Sequence, residues 1–103
     1  MGEARPLRLR YTPEAVAELA GVLDGIADQS PQGARRVRSR ILKTIDLLTE
    51  HPHSGQRTSH PTLRRIVVRP YPYLIFYRVT DAELIVIGVR HAARDPASMP
   101  DAS

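Results

Sequence analysis

At 103 residues with 42% apolar side chains, the chain suits one domain built around one modest core. It contains no cysteine, which excludes disulfides and thiolate metal sites, and its longest apolar run, residues 84–89, is far short of a membrane span. The net charge of +4 hides an uneven spread, because residues 29–78 carry ten basic against two acidic side chains, a local balance of +8.

Such a block suits nucleic acid or an acidic protein partner, with a solvated helix face as the plain alternative. The opening "MGEARPLRLR" lacks the apolar stretch of a signal peptide, and Pro6 stands where a myristoylation signal wants Ser or Thr. A soluble cytoplasmic protein is the expectation.

In chain order, "LRLRY" (7–11) alternates apolar and basic residues as a half-buried strand does. Thr12-Pro13 reads as a helix cap followed by proline in the first turn, and Val16, Leu19, Ala20, Leu23 and Ile26/Ala27 continue at helical spacing to about Asp28. Gly21 and Gly25 weaken this first helix. Ser30-Pro31 repeats the cap, and Ala34, Val37, Ile41, Leu42, Ile45 and Leu48 form the apolar stripe of a second helix ending near Glu50. Its opposite side carries Arg35, Arg36, Arg38, Arg40 and Lys43. A link of about two residues makes the pair an antiparallel hairpin.

"HPHSGQRTSHP" (51–61) reads as a loop, followed by strands at about 63–69, 73–79 and 84–90, with "TDAE" (80–83) turning between the last two. Residues 1–96 form the expected domain and 97–103 a frayed tail. The order is a strand, two helices and a three-strand meander, an α+β class with helices on one face of an antiparallel sheet. The histidines His51, His53 and His60 lie in the proline-rich loop without a rigid i,i+4 pair, so no metal or other cofactor is expected.

"YPYLIFYRV" (71–79) holds four of the five aromatic residues, which raises a choice between a base-stacking platform and a core strand. Alternation sends Tyr73, Ile75, Tyr77 and Val79 to one face and Leu74, Phe76 and Arg78 to the other. Both faces are mainly apolar, so the segment reads as a central strand, with Leu74 and Phe76 as core. Tyr71 and Tyr73 remain open to either a structural or a contact role.

"LRRIVVRPYPYLIFYRV" followed by "ELIVIGVRHAARDP" resembles the closing half of the RelE/ParE superfamily of bacterial type II toxins. The matching positions are Tyr77-Arg78-Val79, His91-Ala92-Ala93-Arg94 and the "P-x-x-G" loop Pro52-His53-Ser54-Gly55, and the resemblance spans roughly residues 7–96. It implies either of two activities. A RelE-like mRNA interferase would use His91 as acid or base, histidine being the side chain that ordinarily titrates near neutrality, with Arg65, Arg69, Arg90 and Arg94 as cations for phosphorane charge. Alternation places Arg65 and Arg69 on one strand face.

Nucleases of that branch keep an arginine where this chain has Leu74, and no carboxylate lies between His51 and Thr80. The resemblance is therefore nearer the ParE-like branch, which poisons DNA gyrase by binding and implies no catalytic residue. Partner-contact candidates are Arg65, Arg69, Tyr71, Tyr73, Arg90, His91 and Arg94. Either branch implies a cognate acidic antitoxin, which connects the complex to operator DNA. A non-toxic basic nucleic-acid-binding or adaptor domain is the third reading, supported by the arginine-rich helix and the tyrosine cluster.

Overall fold

Two hydroxyl–proline pairs start the two helices of the described residues. The computed structural model describes residues 6–93: β1 (Arg8–Tyr11), α1 (Pro13–Ala27), α2 (Pro31–Glu50), β2 (Gln56–Arg57), β3 (Leu63–Val67), β4 (Tyr73–Val79) and β5 (Glu83–His91). Thr12 Oγ1 accepts from the Ala15 N–H at 3.1 Å, and Ser30 Oγ accepts from the Gly33 N–H at 2.9 Å. Each cap satisfies a donor that has no partner within its own helix, while the proline lacks an N–H that would need one. The helix link is three residues, 28–30, one longer than expected.

The buried stripe of α2 is Val37, Ile41, Ile45 and Leu48, as its spacing predicts. In α1 the stripe is rotated. Val16 is 54% exposed and Ala20 is exposed, whereas Ala15 is fully buried and Leu19, Val22, Leu23 and Ile26 pack on the core. Apolar residues occur nearly all round this helix, so periodicity alone did not choose the face. Packing against β5 did.

The sheet runs β1-β5-β4-β3-β2, which puts the aromatic strand in the centre. The class is α+β, with both helices on one face, but the sheet is not wholly antiparallel. β1 pairs parallel with β5, Arg8 opposite Glu83 through Tyr11 opposite Val86, while the remaining pairs are antiparallel. The expected loop 51–61 also contains β2, whose two residues face Arg65 and Arg64.

β4 divides its side chains as alternation predicts. Ile75 and Tyr77 enter the main core with α1 and α2, and Leu74 and Phe76 join Leu63 in a second cluster on the other face. The register shifts between Phe76 and Tyr77, which oppose Gly88 and Val86, so Ile87 is the extra residue of a β-bulge.

The end of β1 leaves the outer edge of β5 open beyond Val86, where the last bond is from the Thr12 N–H to the Val86 carbonyl. Glu18 of α1 covers the next donor: its Oε1 accepts from the Val89 N–H at 2.9 Å, and its Oε2 lies 3.5 Å from Arg90 Nε. A side chain thus does at this edge what a further residue of β1 would do.

Candidate functional site

The Tyr77 side chain is fully buried, and its hydroxyl ties the centre of the sheet to the loop after α2. It donates to the Pro52 carbonyl at 2.8 Å and accepts from the Gly55 N–H at 3.0 Å. A Cβ at Gly55 would meet that hydroxyl and stand 2.7 Å from the Arg65 carbonyl, so only glycine lets the loop approach so closely. Arg64 Nη1 donates to the Gly55 carbonyl at 2.9 Å and completes the clasp. Burial pushes the Tyr77 hydroxyl up from its ordinary pKa, against opposing pulls from the Gly55 N–H and the Arg64 charge. A tyrosine held in this way is a structural pin, unavailable for stacking.

Arg69, Tyr71, Tyr73, Arg90 and His91 lie toward one end of the sheet, where β3 ends, β4 begins and β5 ends, whereas Arg65 is mid-strand, and the surroundings of these contact candidates differ. Arg65 and Arg69 line a cleft of about 420 Å³ between α2 and the β2–β3 edge, together with Arg40, Leu47, Ile66 and Val67. Leu47 and Val67 are 49% and 39% exposed, so the cleft offers apolar surface beside its cations. Arg65 Nη2 lies 3.4 Å from Gln56 Oε1.

Arg69 does not share a strand face with Arg65, because β3 stops at Val67 and Arg69 sits in the following turn. Pro70 brings no N–H to continue the ladder, and the turn closes instead through the Tyr71 N–H to the Val68 carbonyl and the Val68 N–H to the Tyr73 carbonyl.

Tyr71 borders a different groove, of about 550 Å³, along the exposed side of α2. Tyr73 and His91 face each other across β4 and β5, with rings edge to face at 5.3 Å, in a recess beneath Gly21, Gly25 and Ile26. His91 Nδ1 accepts from the Ala93 N–H at 3.1 Å. The Arg90 guanidinium lies 5.8 Å from the Phe76 ring centre, beside Glu18. Arg94 lies outside the described residues, as does the tail 97–103.

RNA cleavage needs acid, base and cations converging on one phosphate. Here His91 lines one recess, Arg65 and Arg69 line another cavity, and Arg90 is engaged over Phe76. Leu74, 4% exposed, is packed with Leu63 and Phe76. Among the described residues, no group of three or more His, Asp or Glu is placed to hold a metal ion, and no helix is long and apolar enough to cross a membrane.

Residues 9–96 match the family model described as "ParE toxin of type II toxin-antitoxin system, parDE". The chain belongs to the ParE toxin family. It is also similar to Toxin RelE2 of Caulobacter vibrioides, 40% identical over 84 residues that make up 82% of this chain and 93% of that protein. The Sinorhizobium fredii protein Y4kP is 33% identical over 85 residues, 82% of this chain and 88% of that one.

In fold, the chain resembles a solved structure titled "Chromosomal ParDE TA system from P. aeruginosa", with a TM-score of 0.75, 19% identity and coverage of 85% and 98% of the two chains. Membership in the ParE family makes this chain the toxin of a type II toxin–antitoxin pair, with an antitoxin as partner. The adaptor reading is set aside with it.

Two residues that shape the candidate site, Glu18 and Arg64, escaped sequence reasoning, and a third, Gly55, was seen without its purpose. Glu18 and Arg64 act over separations of 71 and 9 residues and leave no local pattern. Gly55 was visible as the last residue of "P-x-x-G", a spacing whose purpose emerges only when Tyr77 meets it.

Proposed function

We propose that this ParE-family toxin acts by binding DNA gyrase and trapping it on cleaved DNA, with no chemistry of its own, inside the cytoplasm. The observation that carries this reading is the burial of Leu74 in an apolar cluster at the position where nucleases of the superfamily keep a cation. The separation of His91 from Arg65 and Arg69 supports it further. Arg65, Arg69, Tyr71, Tyr73, Arg90, His91 and Arg94 then serve as contact residues for target or antitoxin.

The amphipathic cleft of Leu47, Ile66 and Val67 beside Arg40, Arg65 and Arg69 suits the apolar stripe and carboxylates of an acidic antitoxin segment. That antitoxin carries the complex to operator DNA. The test compares purified toxin in a gyrase supercoiling and cleavage-complex assay with toxin in a translating-ribosome mRNA cleavage assay. Accumulated gyrase cleavage complexes with intact messages are the expected result. Cut messages with untouched gyrase would establish an mRNA interferase instead.

A further inference from the structure

The exposed side of α2 is a second charged surface, distinct in chemistry from the amphipathic cleft. Arg35, Arg36, Arg40 and Lys43 line the groove of about 550 Å³ with Gln32, Ser39 and Tyr71. All four cations are exposed, and none has an ion-pair partner among the described residues. The acidic residues of α2, Asp46 and Glu50, come after the last of these cations. At about 1.5 Å of rise per residue, positions 35 to 43 set a row of charge about 12 Å long on a rigid rod.

An acidic protein segment would gain little here, since the groove has no aliphatic side chain for an apolar stripe to cover. A single nucleic-acid strand would want aromatic platforms, and the groove has only half-buried Tyr71. Tyr77 is in the core, and Phe76 is buried with Arg90 beside its ring. What remains suited to the groove is a regular row of phosphates, which arginine forks grip with paired hydrogen bonds and Gln32 and Ser39 supplement as neutral donors.

We propose that the Arg35–Arg36–Arg40–Lys43 face of α2 is a sequence-independent binding site for the phosphate backbone of duplex DNA. The toxin itself, and not only its antitoxin, then holds DNA. The inference goes beyond the toxin assignment and does not depend on which enzyme is poisoned, because the site reads charge spacing on the duplex alone.

The experiment measures anisotropy of a fluorescent 20-base-pair duplex of arbitrary sequence, titrated with full-length toxin across salt concentrations. Four phosphate contacts predict a slope of log K against log salt of about −3 to −4. The Arg35→Gln/Arg36→Gln/Lys43→Gln variant, which spares Arg40 because the cleft shares it, should flatten the slope by about 3 and weaken binding at least tenfold at low salt. Glutamine is a good helix former, so α2 should persist, and circular dichroism checks that it does.

A control variant, Arg8→Gln/Arg57→Gln/Arg78→Gln, removes the same charge from surfaces outside the groove and should keep most of the slope. Equal losses in both variants would reduce the effect to net charge and overturn the proposal. So would tighter binding of a 20-mer single strand, or of a polyglutamate peptide, through the same three residues.

Discussion

Tyr77 shows how one hydroxyl can decide the position of a whole loop. Tyr77→Phe keeps the ring in the core but leaves the Pro52 carbonyl and the Gly55 N–H without their shared partner. A loss of about 1–3 kcal/mol is expected from urea unfolding, in the range for a buried group left unsatisfied. The pH dependence has a definite sign. Burial raises the pKa of Tyr77, and of Tyr11 against the opposing charge of Arg38, above the ordinary tyrosine value of 10.0. Above that pH the folded chain binds more protons than the unfolded one, so stability falls as pH rises past 10.0 toward the folded values. The part of that alkaline loss due to residue 77 should vanish in Tyr77→Phe, measured by thermal melts between neutral and strongly alkaline pH. His91 gives the second residue-scale test. A toxin that binds without catalysis through several contacts keeps most of its growth inhibition in His91→Ala, and near-complete loss in a well-folded variant that still binds its target would point to acid–base chemistry.

At the scale of elements, α1 is the helix with stability in reserve. Gly21 and Gly25 are exposed, and a Cβ at either would meet nothing within 4 Å. Gly21→Ala and Gly25→Ala should each stabilise the fold by about 0.5–1 kcal/mol through helix propensity, read from the denaturant midpoint. Failure of both to stabilise would mean that helix propensity does not limit the stability of α1. The elements also show what the sequence made legible. Both caps, the α2 stripe and the three later strands were readable because each rests on local chemistry or short periodicity. In the α1 stripe Leu19, Leu23 and Ile26 were readable, whereas Val16 and Ala20 are exposed and Ala15 and Val22 take the core side, a choice that only packing against the sheet decides. The parallel partnership of β1 and the two-residue β2 are pairings between distant segments, for which no window of sequence carries a pattern. In the site, Leu74 and Phe76 were readable by alternation. The turn position of Arg69 was not, because strand length depends on where the β3–β4 ladder ends.

For the whole molecule, six of the ten basic residues in 29–78 line an amphipathic cleft or a polar groove, and the two meet at Arg40. Charge of this kind mainly accelerates encounter with an oppositely charged partner. If the antitoxin segment is acidic as proposed, its association rate should fall by on the order of tenfold or more as salt rises from about 50 to 500 mM, with a much smaller change in dissociation, as stopped-flow mixing would record. A rate insensitive to salt would mean that the basic surfaces do not guide the antitoxin.

The partnership of β1 with β5 has a consequence for when the toxin comes into being. β5 is among the last segments described, yet it sits between β1 and β4 and supplies a neighbour to each. A ribosome releases the chain from the N-terminus at about 5–20 residues per second, so the first strand must wait for the last before it has a place in the sheet. Until then the nascent chain holds a helical hairpin and a half-built ladder, and lacks the Tyr73–His91 pairing. Synthesis interrupted before β5 yields a fragment in which β1 has no neighbour in the sheet, so the folded toxin arises only once the β5 codons have been read.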